Sequence, residues 1–175
     1  MRTYSTFILW LVKLFFWIIF IGLCIKTGAL MVSTGVSLFV NPAATADLYM
    51  GLDLSAVWER SQQVFILYSS TYILLHALQT YIGYLIVSIT LKLRSDRPFS
   101  HDIALTIEKI SQTSLIAGIT AIFGHGISQW LLRQNVSTPI EWAYAEILFF
   151  GGVVYFIAEV FRRGVLLQEE NELTV

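Results

Sequence analysis

Four long apolar stretches, separated by short polar breaks, constrain this chain more than any other feature. A helix of about 20 apolar residues crosses the hydrocarbon layer of a bilayer, which is about 30 Å thick. Each stretch reaches roughly this length, and the chain is 56% hydrophobic with only 13% charged residues. We therefore expect an all-α integral membrane four-helix bundle that forms one domain over residues 1–175. The spans are predicted at about 7–25, 64–91, 110–132 and 143–161.

The arginines and lysines lie mostly on one side of these spans. Seven fall at the N-terminus, around the break between the second and third spans, or after the fourth: Arg2, Lys92, Arg94, Arg97, Lys109, Arg162 and Arg163. Three fall near the opposite side: Lys26, Arg60 and Arg133. Because cytoplasmic loops carry the excess of basic residues, both termini and the central loop are expected in the cytoplasm. Residues 162–175 then form a cytoplasmic tail.

The first apolar region is longer than one span. It continues past Lys26 to Val40, and a straight helix over residues 7–40 would measure about 51 Å at 1.5 Å per residue. Two structures are compatible with this length: the helix projects beyond the bilayer, or it breaks near Gly28 and lies along the outer interface. An outer loop follows over residues 41–63, with a short helix predicted at Leu54–Arg60.

Four segments together resemble a known family. They are the ending Glu169–Val175, the basic segment Arg162–Gly164 that precedes it, the loop Arg97–Ser100, and Trp17–Ile25 in the first span. The chain is similar along nearly its whole length to the bacterial membrane family called domain of unknown function 2975. The resemblance implies a four-span protein of the inner membrane. Many members are encoded beside a small helix-turn-helix regulator, so it also implies a link to gene regulation.

Four histidine and glutamate residues fall within the predicted spans, where ionisable groups are costly. Glu159 lies three and four residues before Arg162 and Arg163, a spacing that predicts ion pairs on one helix face. His76, His125 and Glu146 each lie 16 residues from the basic residue that marks the cytoplasmic end of their span. In upright helices this places all three at about 24 Å from that boundary. We therefore identify His76, His125 and Glu146 as a candidate intramembrane polar site.

Three interpretations of that site remain open. The side chains could hydrogen-bond one another or their neighbours and fix the helix packing. They could form a small pocket that senses protons or binds a ligand, since imidazole titrates near neutral pH. They could also hold a metal ion or haem, with His76 and His125 as ligands and Glu146 as a possible third ligand for a metal.

No motif predicts catalysis. A phosphate-binding glycine loop and a local nucleophile–histidine motif are both missing from the sequence. We expect a protein without enzymatic activity or cofactor that is embedded in lipid, can form homo-oligomers and binds a cytoplasmic regulator protein. The net charge of −1 does not favour direct nucleic-acid binding. The candidate partner-binding residues are Arg97, Arg162, Arg163, Glu169, Glu170 and Glu172. The alternative is a membrane sensor or a metal- or haem-binding protein that uses the polar site.

Overall fold

The computed structural model describes the backbone of residues 2–92 and 101–173 and the side chains of residues 8–92 and 101–168. Within these ranges the chain is all-helical, without a strand, which confirms the predicted fold class. The long helices are α1 (Arg2–Phe39), α3 (Gln62–Lys92), α4 (His101–Arg133) and α5 (Tyr144–Leu173). Between α1 and α3 lie a 3₁₀ helix at Pro42–Ala46 and the short helix α2 at Ser55–Arg60.

The four long helices are each long and apolar enough to cross a membrane. Their candidate spanning parts are Ile8–Phe39, Gln62–Lys92, His101–Arg133 and Tyr144–Gln168. These parts contain 25 to 33 residues, which exceeds the roughly 20 residues that a bilayer needs. The helices therefore indicate a multi-pass membrane protein in which several helix ends extend beyond the hydrocarbon layer or tilt within it.

Helix α1 continues unbroken through Gly28 and Gly35, so the predicted alternative of a break near Gly28 is wrong. Glycine weakens a helix by about 1 kcal/mol, and packing of the flanking residues outweighs that cost. Leu30 is fully buried in the main hydrophobic core, and Ser37 is fully buried with its hydroxyl bonded to the carbonyl of Ser33. The projecting end of α1 is thus held by tertiary contacts up to Phe39.

The long helices pack in chain order. Helix α1 lies against α3, α3 against α4, and α4 against α5. Glycine allows close approach at two of these contacts: Gly83 of α3 faces Phe20 and Leu23 of α1, and the carbonyl of Gly151 in α5 accepts a hydrogen bond of 3.1 Å from Ser111 in α4. Small residues at helix contacts are typical of membrane bundles, because they let backbones approach.

One end of the bundle is covered by a folded cap, which we define as residues 40–61 and 134–143. The predicted short helix in this region is confirmed as α2. The carboxylate of Asp53 accepts hydrogen bonds from the hydroxyl and the amide of Ser55, and these bonds hold the pKa of that carboxyl below its usual range. Arg60 donates to the side-chain oxygen of Gln134 at 3.1 Å and so joins the two halves of the cap.

The cap covers the main hydrophobic core and supplies five of its buried residues: Leu48, Leu54, Val57, Ile140 and Trp142. Leu48, Leu54 and Val57 are almost completely buried and pack with Phe65 of α3 and Leu131 of α4. This arrangement resembles the interior of a soluble domain, where removing apolar surface from water stabilises the fold. The cap end of the bundle is therefore the most closely packed part of the molecule that the structure describes.

Replacing Phe65 with alanine should therefore destabilise the protein strongly. Phe65 is fully buried and its ring meets Trp58 edge-on at 5.1 Å between centroids, so truncation leaves a cavity costing about 3–5 kcal/mol. The matched control is Phe149→Ala, since Phe149 is 75% exposed on α5 and its loss should cost little. Unfolding of the detergent-solubilised variants by denaturant measures both. Equal losses of stability would contradict a core located in the cap.

Candidate functional site

Helix α5 starts beside a point well before the end of α4. An extended segment runs along the last part of α4, between the end of that helix and the start of α5. Trp142, two residues before α5, packs on Gly124, which lies nine residues before the end of α4 at Arg133. Residues 136–143 therefore run beside about 14 Å of α4 without forming a helix. Non-helical backbone at such a position must be buried in protein or line a hydrated cavity, because lipid cannot satisfy its polar groups.

Local backbone geometry sets both ends of this segment. Asn135 adopts a left-handed conformation, with φ of 59°, and the amide of Val136 returns to the carbonyl of Leu131 at 3.0 Å. This pattern is a common helix C-terminus. Ala143 is also left-handed, with φ of 45°, and its carbonyl accepts the amide of Ile147 as α5 starts.

A hydrogen-bonded network fixes the segment against α3 and α4. The indole nitrogen of Trp142 donates to the hydroxyl of Ser128 at 2.8 Å. The hydroxyl of Tyr68 lies 2.8 Å from the same Ser128 oxygen and donates to Thr138 at 2.8 Å. The ring of Trp142 also meets the rings of Tyr68 and Tyr72 edge-on, at 5.5 and 5.7 Å. The polar ends of the two buried aromatic residues, Tyr68 and Trp142, thus both have a partner, as a low-dielectric site requires.

The segment borders a cavity of about 480 Å³ that brings together two of the predicted site residues, His125 and Glu146. His125 is half-buried, and its ring centroid lies 5.0 Å from that of Tyr144. Glu146 is exposed in the first turn of α5, where a carboxylate interacts favourably with the positive end of the helix dipole. Gln129 and Glu141 also line the cavity, together with the hydroxyl residues Ser128, Ser137 and Thr138. The cavity can accept a small polar molecule.

His76 does not line this cavity. It is 5% exposed and packs against Tyr72, with ring centroids 4.3 Å apart. Neither of its ring nitrogens has a hydrogen-bond partner. The structure therefore brings together two of the three predicted residues and leaves the third elsewhere.

The equal depth predicted for the three residues holds for two of them. Leu85, Ile110 and Val154 pack in one cluster and mark a common level on α3, α4 and α5. From that level His76 lies nine residues towards the cap and Glu146 eight, about 12–14 Å for each. His125 lies 15 residues away, or about 22 Å. Counting from the basic residues failed for His125 because Lys109 lies one residue from this common level, whereas Lys92 and Arg162 lie seven and eight residues from it.

The arrangement does not assemble the predicted metal ligands. Among the residues that the structure describes, no group of three histidine, cysteine, aspartate or glutamate side chains is placed to hold a metal ion. His76 instead has a basic neighbour that the sequence prediction did not include. The ammonium of Lys26 lies 5.8 Å from the ring centroid of Tyr72, the residue that stacks on His76. The sequence did contain a signal for this neighbour, because Lys26 lies inside an apolar run that continues to Val40.

A second cavity lies between α4 and α5 at the opposite end of the bundle. We call it the terminal groove. It has a volume of about 740 Å³, and its charged and titratable lining residues are His101, Glu108, Glu159, Arg162 and Arg163. The predicted ion pairs of Glu159 are confirmed, at 2.6 Å to Arg162 and 3.0 Å to Arg163. The remaining candidate partner-binding residues lie outside the described side chains: Arg97, Glu169, Glu170 and Glu172.

Comparison with known proteins found no match among protein-family models, curated proteins or solved structures.

The contact between Trp142 and Gly124 yields a sharp mutational test. A Cβ atom at Gly124 would lie 2.2 Å from the Trp142 ring, so Gly124→Ala should displace the ring and break its bond to Ser128. We expect a loss of about 1–3 kcal/mol of stability. Gly126→Ala is the control two residues away, because a Cβ there meets nothing within 4 Å and alanine favours the helix by up to about 1 kcal/mol.

Intrinsic tryptophan fluorescence and denaturant unfolding in detergent would report both variants. We expect Gly124→Ala to lower the free energy of unfolding and Gly126→Ala to raise it. If Gly124→Ala were as stable as Gly126→Ala, the packing of Trp142 on α4 would be wrong.

Proposed function

We propose that this chain is a non-enzymatic protein of the bacterial inner membrane that binds a cytoplasmic partner protein in the terminal groove. The observation that carries the proposal is the lining of that groove. Its apolar part includes Leu105, Tyr155 and Leu166, which are 43%, 58% and 54% exposed. Its rim carries charges of both signs. A groove with this division suits an amphipathic helix, whose apolar face is buried while its polar edges pair with the rim.

The distribution of basic residues supports the orientation. The end of the bundle with the terminal groove also carries Lys92 at the end of α3 and Lys109 near the start of α4. Basic residues near span ends favour the cytoplasmic side, so both termini would be cytoplasmic. The partner would then meet the groove from the cytoplasm.

The resemblance to domain of unknown function 2975 supports a regulator as partner. Members of that family are often encoded beside a small helix-turn-helix protein, which is built from helices that a groove of this kind could accept. We propose such a regulator as the first partner to test.

The alternative function, a membrane sensor, is favoured by the cavity beside His125 and Glu146. A volume of about 480 Å³ lies within the range of small-molecule sites. Its metal- or haem-binding form has less support, because His76 and His125 are separated by about 8 Å or more in level alone.

Reversing charge in the terminal groove should abolish partner binding. We expect the Arg162→Glu, Arg163→Glu protein to bind the regulator at least about tenfold more weakly, since each lost charge-assisted contact costs about 1.5–3 kcal/mol. Arg133→Glu is the control, an exposed arginine at the cap end of α4. Binding is measured with full-length protein in nanodiscs and the purified regulator. Equal binding by both variants would reject the groove as the site.

Shortening the tail separates its role from that of the groove. Truncation after Gln168 removes residues 169–175 but keeps Val165, which is 6% exposed in the groove wall. If the acidic tail contributes, we expect weaker regulator binding with unchanged unfolding of the membrane domain. Unchanged affinity would limit the partner contact to the groove.

A further inference from the structure

His76 is a buried imidazole with both ring nitrogens unpaired. It is 5% exposed, and no hydrogen-bond partner lies within reach of Nδ1 or Nε2 in the described structure. Leaving a buried polar group unsatisfied costs about 1–3 kcal/mol. The nearby hydroxyls have other bonds, since the hydroxyl of Thr80 donates to the His76 carbonyl and also pairs with Thr27 at 2.9 Å. A buried imidazole with both nitrogens unpaired is an exception among native structures and calls for an explanation.

The electrostatic surroundings of His76 are basic. Lys26 of α1 is the charged neighbour: its ammonium lies 5.8 Å from the ring centroid of Tyr72, and the ring centroids of Tyr72 and His76 lie 4.3 Å apart. Within α3 the nearby titratable groups are Tyr68 and Tyr72. The residues of α4 and the cap that pack around this part of α3 are uncharged: Ala117, Ala121 and Trp142. None of the described carboxylates forms a salt bridge with Lys26.

This environment favours the neutral form of His76. A protonated imidazole would be a buried cation near the half-buried ammonium of Lys26, and no described carboxylate forms a salt bridge with Lys26. Burial penalises a lone charge strongly, and a like charge adds to the penalty. Protonation therefore becomes favourable only if the site opens to water or the two groups move apart.

The part of helix α1 that precedes Leu30 is the element that can move, because the buried Leu30 and Ser37 hold the part that follows against the cap. The preceding part packs against α3, and most of its remaining surface is exposed apolar side chains, such as Ile18 and Ile25. At the level of His76 and Lys26 its polar attachment to α3 is the single hydroxyl pair of Thr27 and Thr80. Lipid can replace the apolar contacts of such a helix at little cost, because membrane interiors supply no hydrophobic drive for helix association.

We propose that the α1–α3 contact is a proton-responsive switch in which His76 is the receptor and Lys26 is the opposing charge. At neutral pH the imidazole is neutral and α1 stays packed. In acid a proton from solvent binds a ring nitrogen, no covalent bond breaks, and repulsion between the two cations separates α1 from α3. The inference is independent of partner binding in the terminal groove.

The sign follows from proton linkage. The opened state binds one more proton than the closed state, so lowering the pH favours opening. The closed contact is fully stable above the pH at which a free imidazole titrates, about 6.5, and weakens below it by up to tenfold for each pH unit. Imidazole titrates in the physiological range, which makes it suitable for such a switch.

A spin-label distance tests the proposal in the full-length protein in lipid nanodiscs. One label goes on Cys24, an exposed residue of α1, and the other on Ile119→Cys, at a position 63% exposed on α4. We expect the distance distribution to shift to longer values between about pH 8 and about pH 5. An unchanged wild-type distribution would overturn the proposal.

Two variants assign the response to its residues. His76→Phe keeps a ring in the site and should remove the pH dependence; the same acid shift in this variant would also overturn the proposal. Lys26→Met removes the repulsion and should reduce the shift or move its midpoint to lower pH. Lys13→Met, in the same helix, is the control and should respond as wild type. If His76→Phe fails to fold, Lys26→Met against Lys13→Met decides, and identical responses would reject the mechanism.

Discussion

The packing of Trp142 on Gly124 determines how the cap end of this protein is built. A tryptophan needs a surface without side chains to lie this close to a helix, and Gly124 provides one. The indole nitrogen then reaches Ser128, one turn further along α4. Because this contact holds residue 142 beside a point nine residues, or about 14 Å, before the end of α4, α5 cannot start level with that end. The extended segment and its cavity are consequences of that single contact.

The offset between α4 and α5 separates groups that look equivalent in the sequence. It places His125 on the cap side of the first turn of α5, where a cavity is lined by α4, the extended segment and the start of α5. It places Glu146 at a helix N-terminus, an inexpensive position for a carboxylate. His76 lies at nearly the same level as Glu146 but faces another environment, with Lys26 and Tyr72 as its neighbours. Depth in the bilayer and direction around the helix are thus independent properties.

The sequence predicted those features that depend on local spacing. The four spans follow from apolar length, the short helix α2 was predicted at nearly its observed bounds, and the ion pairs of Glu159 follow from its spacing to Arg162 and Arg163. It did not predict features that depend on how helices meet. The sequence does not reveal that Gly124 makes room for the Trp142 ring, because this requires knowing which residues face each other. The continuity of α1 through Gly28 likewise depends on tertiary contacts of Leu30 that no local rule contains.

Two polar groupings at the cap end show how satisfaction of hydrogen bonds relates to rigidity. Around Ser128 each donor has an acceptor, and breaking any bond exposes another group in a dry environment, so the network favours one arrangement. The ring nitrogens of His76 make no hydrogen bonds in the packed state, so no bond is broken when the helices separate and water can supply new ones. Lys26 adds a charge that resists protonation in the closed state. The first grouping therefore fixes the cap, and the second leaves the α1–α3 contact able to respond to protons.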